Sequence, residues 1–345
     1  MLAIPALLVL FQAVTVQPES GEVHLRHVRQ LTFGGQNAEA YFAASGRLLI
    51  FQRHGPAESC DQMYVIGADG TGLHRVSSGR GRTTCGYFYD HDARIFYSST
   101  EHSGPACPPR PDYSQGYVWA LYDYDLYTAA ADGSGAQRLT TNPEYDAEGT
   151  LSPDGRTIVF TSLRDGDLDI YAMGVDGRDV RRLTTTFGYD GGPFFSPDGT
   201  LIVYRAYHPS TAADSAEYRA LLARRLVRPT RMDLWVMNAD GSGQRQVTHL
   251  PGASFAPSFF PDSRRIIFAS NYLSPTSEHF DLYAVNVDGT GLERITTDNT
   301  FNAFPMFSPD GGRLVWASNR RGTAPHETNI FVADWVGVGV RVGGH

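Results

Sequence analysis

One short pattern recurs six times along the sequence and constrains the fold more than any other feature. Its parts are a turn after the innermost strand, an apolar strand, an acidic-aromatic strand, an Asp-Gly turn and a closing hydrophobic-Thr pair, which is Val-Ser in one copy. The turn is most regular as Ser-Pro-Asp-Gly, at residues 152–155, 196–199 and 308–311. The closing pairs are Leu31-Thr32, Val76-Ser77, Leu139-Thr140, Leu183-Thr184, Val247-Thr248 and Ile295-Thr296. Such spacing, 44 to 64 residues with several short strands per copy, is typical of a β-propeller.

The local sequence of each copy predicts strands rather than helices. β-branched and aromatic runs such as Ile158–Ser162 and Ile266–Ser270 are bounded by turn residues, which favours buried strands. Asp-Gly pairs follow the next strand in five copies, and they suit tight hairpins because both residues tolerate positive φ. We therefore predict an all-β fold, a six-bladed β-propeller with four antiparallel strands per blade and strand A innermost.

The two ends of the repeat region carry unmatched half-repeats. The sixth copy runs through Asn329–Trp335 and then lacks an Asp-Gly turn and a closing pair. The segment from His24 to Thr32 resembles a closing strand that nothing precedes. We predict that this N-terminal strand docks as the outer strand of blade six, so that the ring has no broken sheet. The propeller is then expected at residues 22–336, followed by a Gly-rich tail at 337–345.

The N-terminal segment is predicted to be a signal peptide, at residues 1–17. Its apolar run from Leu2 to Val16 is too short to span a bilayer comfortably, and the sequence turns polar at Gln17. No basic residue precedes the run, and no Ala-x-Ala cleavage site follows it, so a misassigned start codon or an uncleaved anchor stays an alternative. The signal predicts a periplasmic or secreted protein with no transmembrane segment after its removal.

Composition narrows the classes of function. The formal net charge is −8, which argues against nucleic-acid binding because that requires a basic surface. The chain contains no lysine, which excludes lysine Schiff-base chemistry. We find no Gly-rich phosphate loop, no His-Glu-x-x-His and no Gly-x-Ser-x-Gly, and therefore no recognised catalytic motif.

The Ser-Pro-Asp-Gly turns and the Asp-Ile-Tyr type of strand resemble the propeller of TolB and its relatives in exported bacterial proteins. The resemblance runs from about Leu31 to Val336. It implies the fold, and it implies a surface for protein interaction. TolB has an α/β domain ahead of its propeller, whereas this chain is expected to be a stand-alone propeller.

Two long insertions predict where the function lies. They run from Glu101 to Tyr122 in blade two and from His208 to Arg231 in blade four. Both connect strand B to strand C, so both should rise from one face, here called the upper face. Loops this long are usually functional or disordered, although decorative variation is the alternative. The second insertion has apolar residues near helical spacing from Tyr218 onward, which predicts a short helix lying across the mouth of the ring.

Aromatic and basic residues near these insertions are the predicted binding residues. We expect them to contact a protein, peptide or glycan ligand; the alternative is that the aromatic ones form the core of the insertion itself. The predicted binding residues are Tyr113, Tyr117, Trp119, Arg205, Tyr207 and His208.

Oxygen-bearing residues at the start of the innermost strands predict an electronegative funnel on the axis. Counting back from each A-to-B turn gives Asn37, Thr84, Asp146, Asp190, Ser254 and Asn302, and two residues further on stand Glu39 and Glu148. We predict that Asp146, Glu148 and Asp190 bind Ca²⁺, which prefers oxygen ligands. Receipt of a partner's cationic group, or capping of backbone donors, would explain the same residues.

The three cysteines, Cys60, Cys85 and Cys107, are all predicted to lie at the upper face. In an exported protein two of them would pair, and a bridge to Cys107 would pin the proline-rich insertion. The third would then be a buried, inert thiol. A nucleophilic thiol or a zinc site is an alternative that no recognised spacing supports.

Two classes of function are compatible with the sequence. The first is an exported binding module that uses its upper face, and we favour it because no catalytic motif is found. The alternative is a metal-dependent lyase or hydrolase that acts on glycans or peptides at the same face.

Overall fold

Six antiparallel sheets form a closed ring in the computed structural model, which describes residues 13–56 and 58–337. The innermost strand of each sheet contacts the innermost strand of the next, and the sixth contacts the first. This arrangement is a six-bladed β-propeller, so the predicted fold class is confirmed.

Four strands build each blade, and their bounds follow the repeat. The A strands are Gln36–Phe42, Thr83–Tyr89, Asp146–Leu151, Tyr189–Phe195, Ser254–Phe259 and Asn302–Phe307. The B strands are Leu48–His54, Arg94–Ser99, Thr157–Ser162, Leu201–Tyr207, Arg265–Ser270 and Arg313–Ser318. The C strands are Gln62–Gly67, Asp125–Ala130, Asp169–Gly174, Asp233–Asn238, Asp281–Asn286 and Asn329–Trp335. The D strands are His74–Arg75, Gln137–Arg138, Arg181–Arg182, Arg245–Gln246, Glu293–Arg294 and, in blade six, Leu25–Gln30.

The Ser-Pro-Asp-Gly motif is a structural turn between strands A and B. In blade three, Ser152 Oγ donates to Asp154 Oδ1 at 2.6 Å and accepts the N–H of Thr157 at 2.9 Å. Gly155 has φ +71°, a conformation that glycine adopts without a steric penalty. The motif therefore specifies the hairpin and supplies no residue to the upper face.

A second repeated contact joins strands C and D. In blade three, Thr184 Oγ1 accepts the N–H of Ile170 at 2.9 Å and donates to Asp169 Oδ1 at 3.1 Å. We call this pair of hydrogen bonds the hydroxyl clasp. It recurs in every blade, with Ser77 and Gln62 taking the two roles in blade one. The closing residue and the polar residue that opens strand C are thus the two partners of one interaction. Each of them appears in the sequence as a separate element of the repeat.

The hydroxyl clasp also closes the ring. Strand Leu25–Gln30 pairs with Asn329–Trp335, as predicted, and Thr32 Oγ1 accepts the N–H of Ile330 at 2.8 Å. The same hydroxyl donates to Asn329 Oδ1 at 3.2 Å. The blade that completes the propeller therefore combines both ends of the chain.

The structure adds a fifth strand to blade six that the sequence did not predict. Val14–Thr15 pairs outside Leu25–Gln30, and Val16 is buried against Val28. These residues lie within the predicted signal peptide, most of which falls outside the described residues. The signal peptide remains a prediction, and cleavage after residue 17 would remove this strand. Most of the predicted tail, residues 338–345, also lies outside the described part.

Removing the closing hydroxyl is expected to destabilise the whole ring. In Thr32→Val the N–H of Ile330 loses its acceptor in a buried site, which should lower the free energy of unfolding by about 1–3 kcal/mol. Urea unfolding followed by circular dichroism measures this loss. Thr185→Val, at an exposed threonine, is the matched control and should change stability by less than about 0.5 kcal/mol. Equal stability of the two variants would contradict the closing role of Thr32.

Candidate functional site

The two insertions meet and form one structural unit over the upper face. Trp119–Ala120 pairs with Leu226–Val227 as a small antiparallel sheet, and the N–H of Leu121 donates to Arg225 O at 2.8 Å. Arg228 extends the contact by donating to Gln115 O at 3.1 Å. We call this joined unit, residues 101–122 with 208–231, the insertion bridge. Sequence spacing predicted that the insertions share a face, and their pairing is a finding of the structure.

The predicted helix is present in the second insertion as Ala212–Leu222. Thr211 caps it, with Oγ1 accepting the N–H of Asp214 at 3.1 Å. Tyr218 is its buried residue, packing edge-on against Phe187 and donating its hydroxyl to Asp167 Oδ1 at 2.6 Å. The helix therefore rests on blade three and the loop that follows it.

The structure places the six predicted binding residues in three separate groups. Tyr113 and Tyr117 are exposed, at 47% and 59%, and their rings stack with centroids 5.8 Å apart. Trp119 and Arg205 form a second group at the axis of the ring, with the guanidinium carbon 4.9 Å from the indole centroid. The third group, Tyr207 and His208, lies at the rim of blade four.

The third group lines a cleft of about 360 Å³ between the insertion bridge and the loop that leads into blade five. Its wall also contains Arg231, Asp233, Trp235 and Gln246. Arg231 lies over the ring of Tyr207, 5.0 Å from its centroid, and donates to the tyrosine hydroxyl at 2.7 Å.

His208 is held by a buried carboxylate beside the cleft. Its Nε2 lies 2.9 Å from Asp190 Oδ1, and its ring meets Trp235 at 4.9 Å. Asp190 is fully buried, and burial raises the pKa of its carboxyl group while His208 opposes that shift. This pairing fixes the orientation of the imidazole in the cleft wall.

The predicted calcium ligands each have a cationic or imidazole partner of their own. Asp146 accepts two hydrogen bonds from Arg164 Nη2, at 2.9 and 3.1 Å, and Asp190 is paired with His208. Glu148 forms an ion pair with Arg205. Among the described residues, no group of three or more His, Cys, Asp or Glu side chains is arranged to hold a metal ion. The calcium role stays a prediction, and it would require the displacement of these partners.

The axis itself is lined by a bulge in each innermost strand rather than by the strand starts. The residue at each bulge has positive φ, and these residues are Glu39, Cys85, Glu148, Gly192, Ala256 and Phe304. The register also shows that blade two aligns at Thr83, which pairs with Ser99, and the sequence count that gave Thr84 was one residue off.

Four blades supply a polar layer at the axis. The thiol of Cys85 hydrogen-bonds to the carboxylate of Glu39, and Glu148 accepts the N–H of Gly192 at 2.9 Å. Arg205 occupies the space that a side chain at position 192 would need, because a Cβ there would lie 2.2 Å from its Nη1. The guanidinium thus reaches Glu148 through the gap left by a glycine.

Apolar residues enclose this polar layer on both sides. Below it, Tyr41 and Phe194 meet across the axis with ring centroids 5.4 Å apart. Above it, Trp119 lies against Phe255 and Tyr189, at centroid distances of 6.4 and 6.3 Å. Trp119 and Arg205 therefore belong to the interior of the ring, whereas Tyr113, Tyr117, Tyr207 and His208 border solvent or the cleft.

Sequence reasoning missed two residues of the cleft, Arg231 and Trp235. Trp235 occupies a repeat position that is Tyr in blades one, two, three and five, so its aromatic character is also explained by the repeat. Arg231 marks the end of an insertion in the sequence. A signal was present in both cases, since Arg231 is the last residue of the insertion and Trp235 lies in strand C just after it.

Ionisation of Glu39 is expected to make stability depend on pH. Burial, with Glu148 nearby, raises the pKa of Glu39 from 4.5 to about 7. The folded state therefore binds this proton more tightly than the unfolded chain, and its stabilising contribution is lost as the pH rises through 7. Glu39→Gln should remove about 1–3 kcal/mol of the stability difference between pH 5 and pH 8.

Urea unfolding at the two pH values measures this difference. Glu278→Gln, at an exposed glutamate, is the control and should keep the pH dependence of the unmodified protein. If Glu39→Gln kept it as well, Glu39 would not be the titrating group.

No helix in the described ranges has the length and apolar character needed to cross a bilayer. Comparison of the sequence with curated proteins finds no significant match.

Solved structures with similar folds have several activities. They include a TolB described as putative from Agrobacterium tumefaciens, with a TM-score of 0.56 and 18% identity over 88% of this chain and 91% of that one. An oligogalacturonate lyase in complex with manganese has a TM-score of 0.54 and 15% identity over 94% and 96%. A gluconolactonase from Xanthomonas campestris has a TM-score of 0.61 and 12% identity over 95% and 98%. At these identities the likeness shows the fold alone.

The family model of the TolB β-propeller domain matches residues 118–216 and 222–340, well over half of the chain. These residues include blades three to five in full and about half of the insertion bridge. The sequence resemblance is thereby confirmed, and the chain belongs to the TolB β-propeller domain family.

Proposed function

We propose that this propeller is an exported binding module that holds a glycan at its upper face, between the insertion bridge and blade five. The observation that carries the proposal is the cleft beside His208, which combines two aromatic side chains with charged and amide groups in about 360 Å³. Binding pockets typically pair an apolar or aromatic wall with a few placed polar groups. Aromatic faces suit the apolar faces of sugar rings, and the polar groups suit their hydroxyls.

The repeat accounts for most of the other polar residues, which supports this location. The Ser-Pro-Asp-Gly serines and the clasp hydroxyls are committed to turns and to strand pairing. Arg231 and His208 belong to neither contact, and both stand in the wall of the cleft. The exposed pair Tyr113 and Tyr117 lies on the same insertion bridge and offers a second aromatic contact for an extended ligand.

Export of the module rests on the predicted signal peptide at residues 1–17. A periplasmic or secreted location would bring the upper face into contact with cell-wall or environmental glycans. Detection of the mature chain in a periplasmic fraction, with its N-terminus sequenced, tests the location directly.

Loss of the exposed tyrosines is expected to weaken binding without unfolding the protein. The probes are oligomers of galacturonic acid, cellulose and chitin, titrated by calorimetry. Tyr113→Ala with Tyr117→Ala should reduce the affinity for the bound oligomer about tenfold or more, since aromatic residues dominate binding energy. The melting temperature should not change, because both side chains are exposed.

Val180→Ala, on the opposite face of blade three, is the control and should bind normally. A lower melting temperature in the tyrosine variant would instead assign both residues to the core of the insertion. Absence of binding to all three glycans, with binding to a peptide library, would overturn the glycan proposal.

The second candidate is an enzyme that cleaves the bound glycan at the same face. The specific observation in its favour is the pair of Asp190 and His208, because a buried carboxylate that orients an imidazole is a common general-base arrangement. The sequence predicted this alternative as a metal-dependent lyase or hydrolase.

Product formation distinguishes the two candidates. Purified protein is incubated with the same oligomers, with and without Ca²⁺ or Mn²⁺, and products are followed by mass spectrometry. An enzyme should release shorter oligomers, and His208→Ala should reduce the rate at least about a hundredfold. His279→Ala, at an exposed histidine of the same face, is the matched control. Absence of products in every condition favours the binding module.

A further inference from the structure

The three cysteines lie in two different environments, Cys60 and Cys107 beside the first insertion and Cys85 at the axis of the ring. Cys60 lies in the loop after strand B of blade one, and Cys107 lies in the first insertion. Cys107 lies near enough to Cys60 to contribute to the raised pKa of the Cys60 thiol. Both are reduced in the structure, as is Cys85.

Backbone contacts hold the two segments together independently of the thiols. Cys60 Sγ donates to Gly81 O at 3.1 Å, while the N–H of Gly81 donates to Pro105 O at 3.1 Å. Gly81 therefore bridges Cys60 to a residue only two positions before Cys107. Its own φ of +59° and the close approach of Thr100 leave no room for a side chain there.

A cation and an aromatic ring complete the surroundings of the pair. Arg82 forms an ion pair with Asp61 at 2.9 Å, and its guanidinium lies 5.3 Å from the centroid of the Tyr122 ring. Asp61 follows Cys60 in the sequence, and Arg82 follows Gly81. Blade one, blade two and the first insertion therefore meet at this point. Arg82 also favours the thiolate form of Cys60.

Cys85 is separated from the pair by its environment. It lies in the polar layer of the axis, where its Sγ is 3.2 Å from Thr84 Oγ1 and contacts the Glu39 carboxylate. Burial, together with Glu39 and Glu148, raises the pKa of this thiol well above its ordinary value. This position in the polar layer of the axis separates Cys85 from the pair, so Cys85 is the thiol expected to stay free.

We propose that Cys60 and Cys107 form a disulfide bond that fastens the first insertion to blade one. The oxidant is a small or protein disulfide, R–S–S–R, of the kind present in an oxidising compartment. The two thiols lose two protons and two electrons, one sulfur–sulfur bond forms, and the oxidant is reduced to two R–SH molecules.

The order of the exchange follows from exposure. Cys107 is partly exposed and Cys60 is buried, so the thiolate of Cys107 attacks the oxidant first and releases one R–SH. Cys60 then attacks the Cys107 sulfur of the mixed disulfide, and the second R–SH leaves. Burial and the neighbouring Cys107 raise the pKa of Cys60 to about 12, and capping Cys107 removes the second of these causes.

The bond would matter for the upper face because of what the first insertion carries. Tyr113, Tyr117 and Trp119 follow Cys107 closely, and the far end of the insertion is already fastened by the pairing of Trp119 with Val227. A bond at Cys107 restrains the near end. The exposed tyrosine pair then lies between two fixed points, which lowers the conformational entropy lost when it contacts a ligand.

Peptide mapping of the full chain tests the proposal. The protein is treated with oxidised glutathione, free thiols are alkylated, and the chain is digested with trypsin. Because the sequence has no lysine, cleavage after arginine leaves Cys60 in residues 54–75, Cys85 in 83–94 and Cys107 in 95–138. Mass spectrometry should find the first and third peptides linked and Cys85 alkylated.

Thermal unfolding gives a second readout. Reduction should lower the melting temperature by about 5 °C, since the bond closes a long loop in the unfolded chain. Cys60→Ser and Cys107→Ser should each lose this response to reductant, whereas Cys85→Ser should keep it. A linked peptide that contains Cys85, or three alkylated cysteines after oxidation, would overturn the proposal.

Discussion

The hydroxyl clasp is the interaction on which the ring depends. Strand D has only two residues in five of the six blades, so ladder hydrogen bonds alone hold it weakly. The clasp adds a hydroxyl that satisfies one backbone N–H and one polar side chain, both of them buried in most blades. Since strand D leads directly into the innermost strand of the next blade, fixing its end also fixes where the next blade begins. An interaction between two side chains thereby sets the geometry of the ring.

The same contact explains why the fold could be predicted from the sequence. A clasp needs a hydroxyl at one position and a polar side chain about fifteen residues earlier, as in Asp125 with Thr140 or Asp281 with Thr296. Both positions are buried in most copies, so their identities are constrained there and the period becomes visible. The strand that closes blade six was predictable for this reason, since Thr32 lacks an earlier partner and Asn329 a later one. The added strand at Val14–Thr15 lies outside the repeat and carried no such signal.

The candidate site was predictable only in part, because its contacts are not repeated. The two insertions were found from their length, and their common face followed from strand order. Their pairing through Trp119 and Val227 depends on the path of two irregular segments, which no period records. The predicted calcium ligands show the same limit. Asp146 and Asp190 were correctly placed on successive blades, but their partners Arg164 and His208 come from the ends of other strands, where spacing gives no guide.

The closure of blade six has a consequence for how the chain reaches its native state. Thr32 and Asn329 are separated by almost the whole chain, so their contact is among the most distant in sequence that the fold contains. Contacts of this kind form late, because a long loop must close before they contribute. Five blades can assemble from consecutive residues while the sixth waits for the last strand to be synthesised. Until that strand pairs, both edges of the open ring stay unpaired, and each presents free backbone hydrogen-bonding groups.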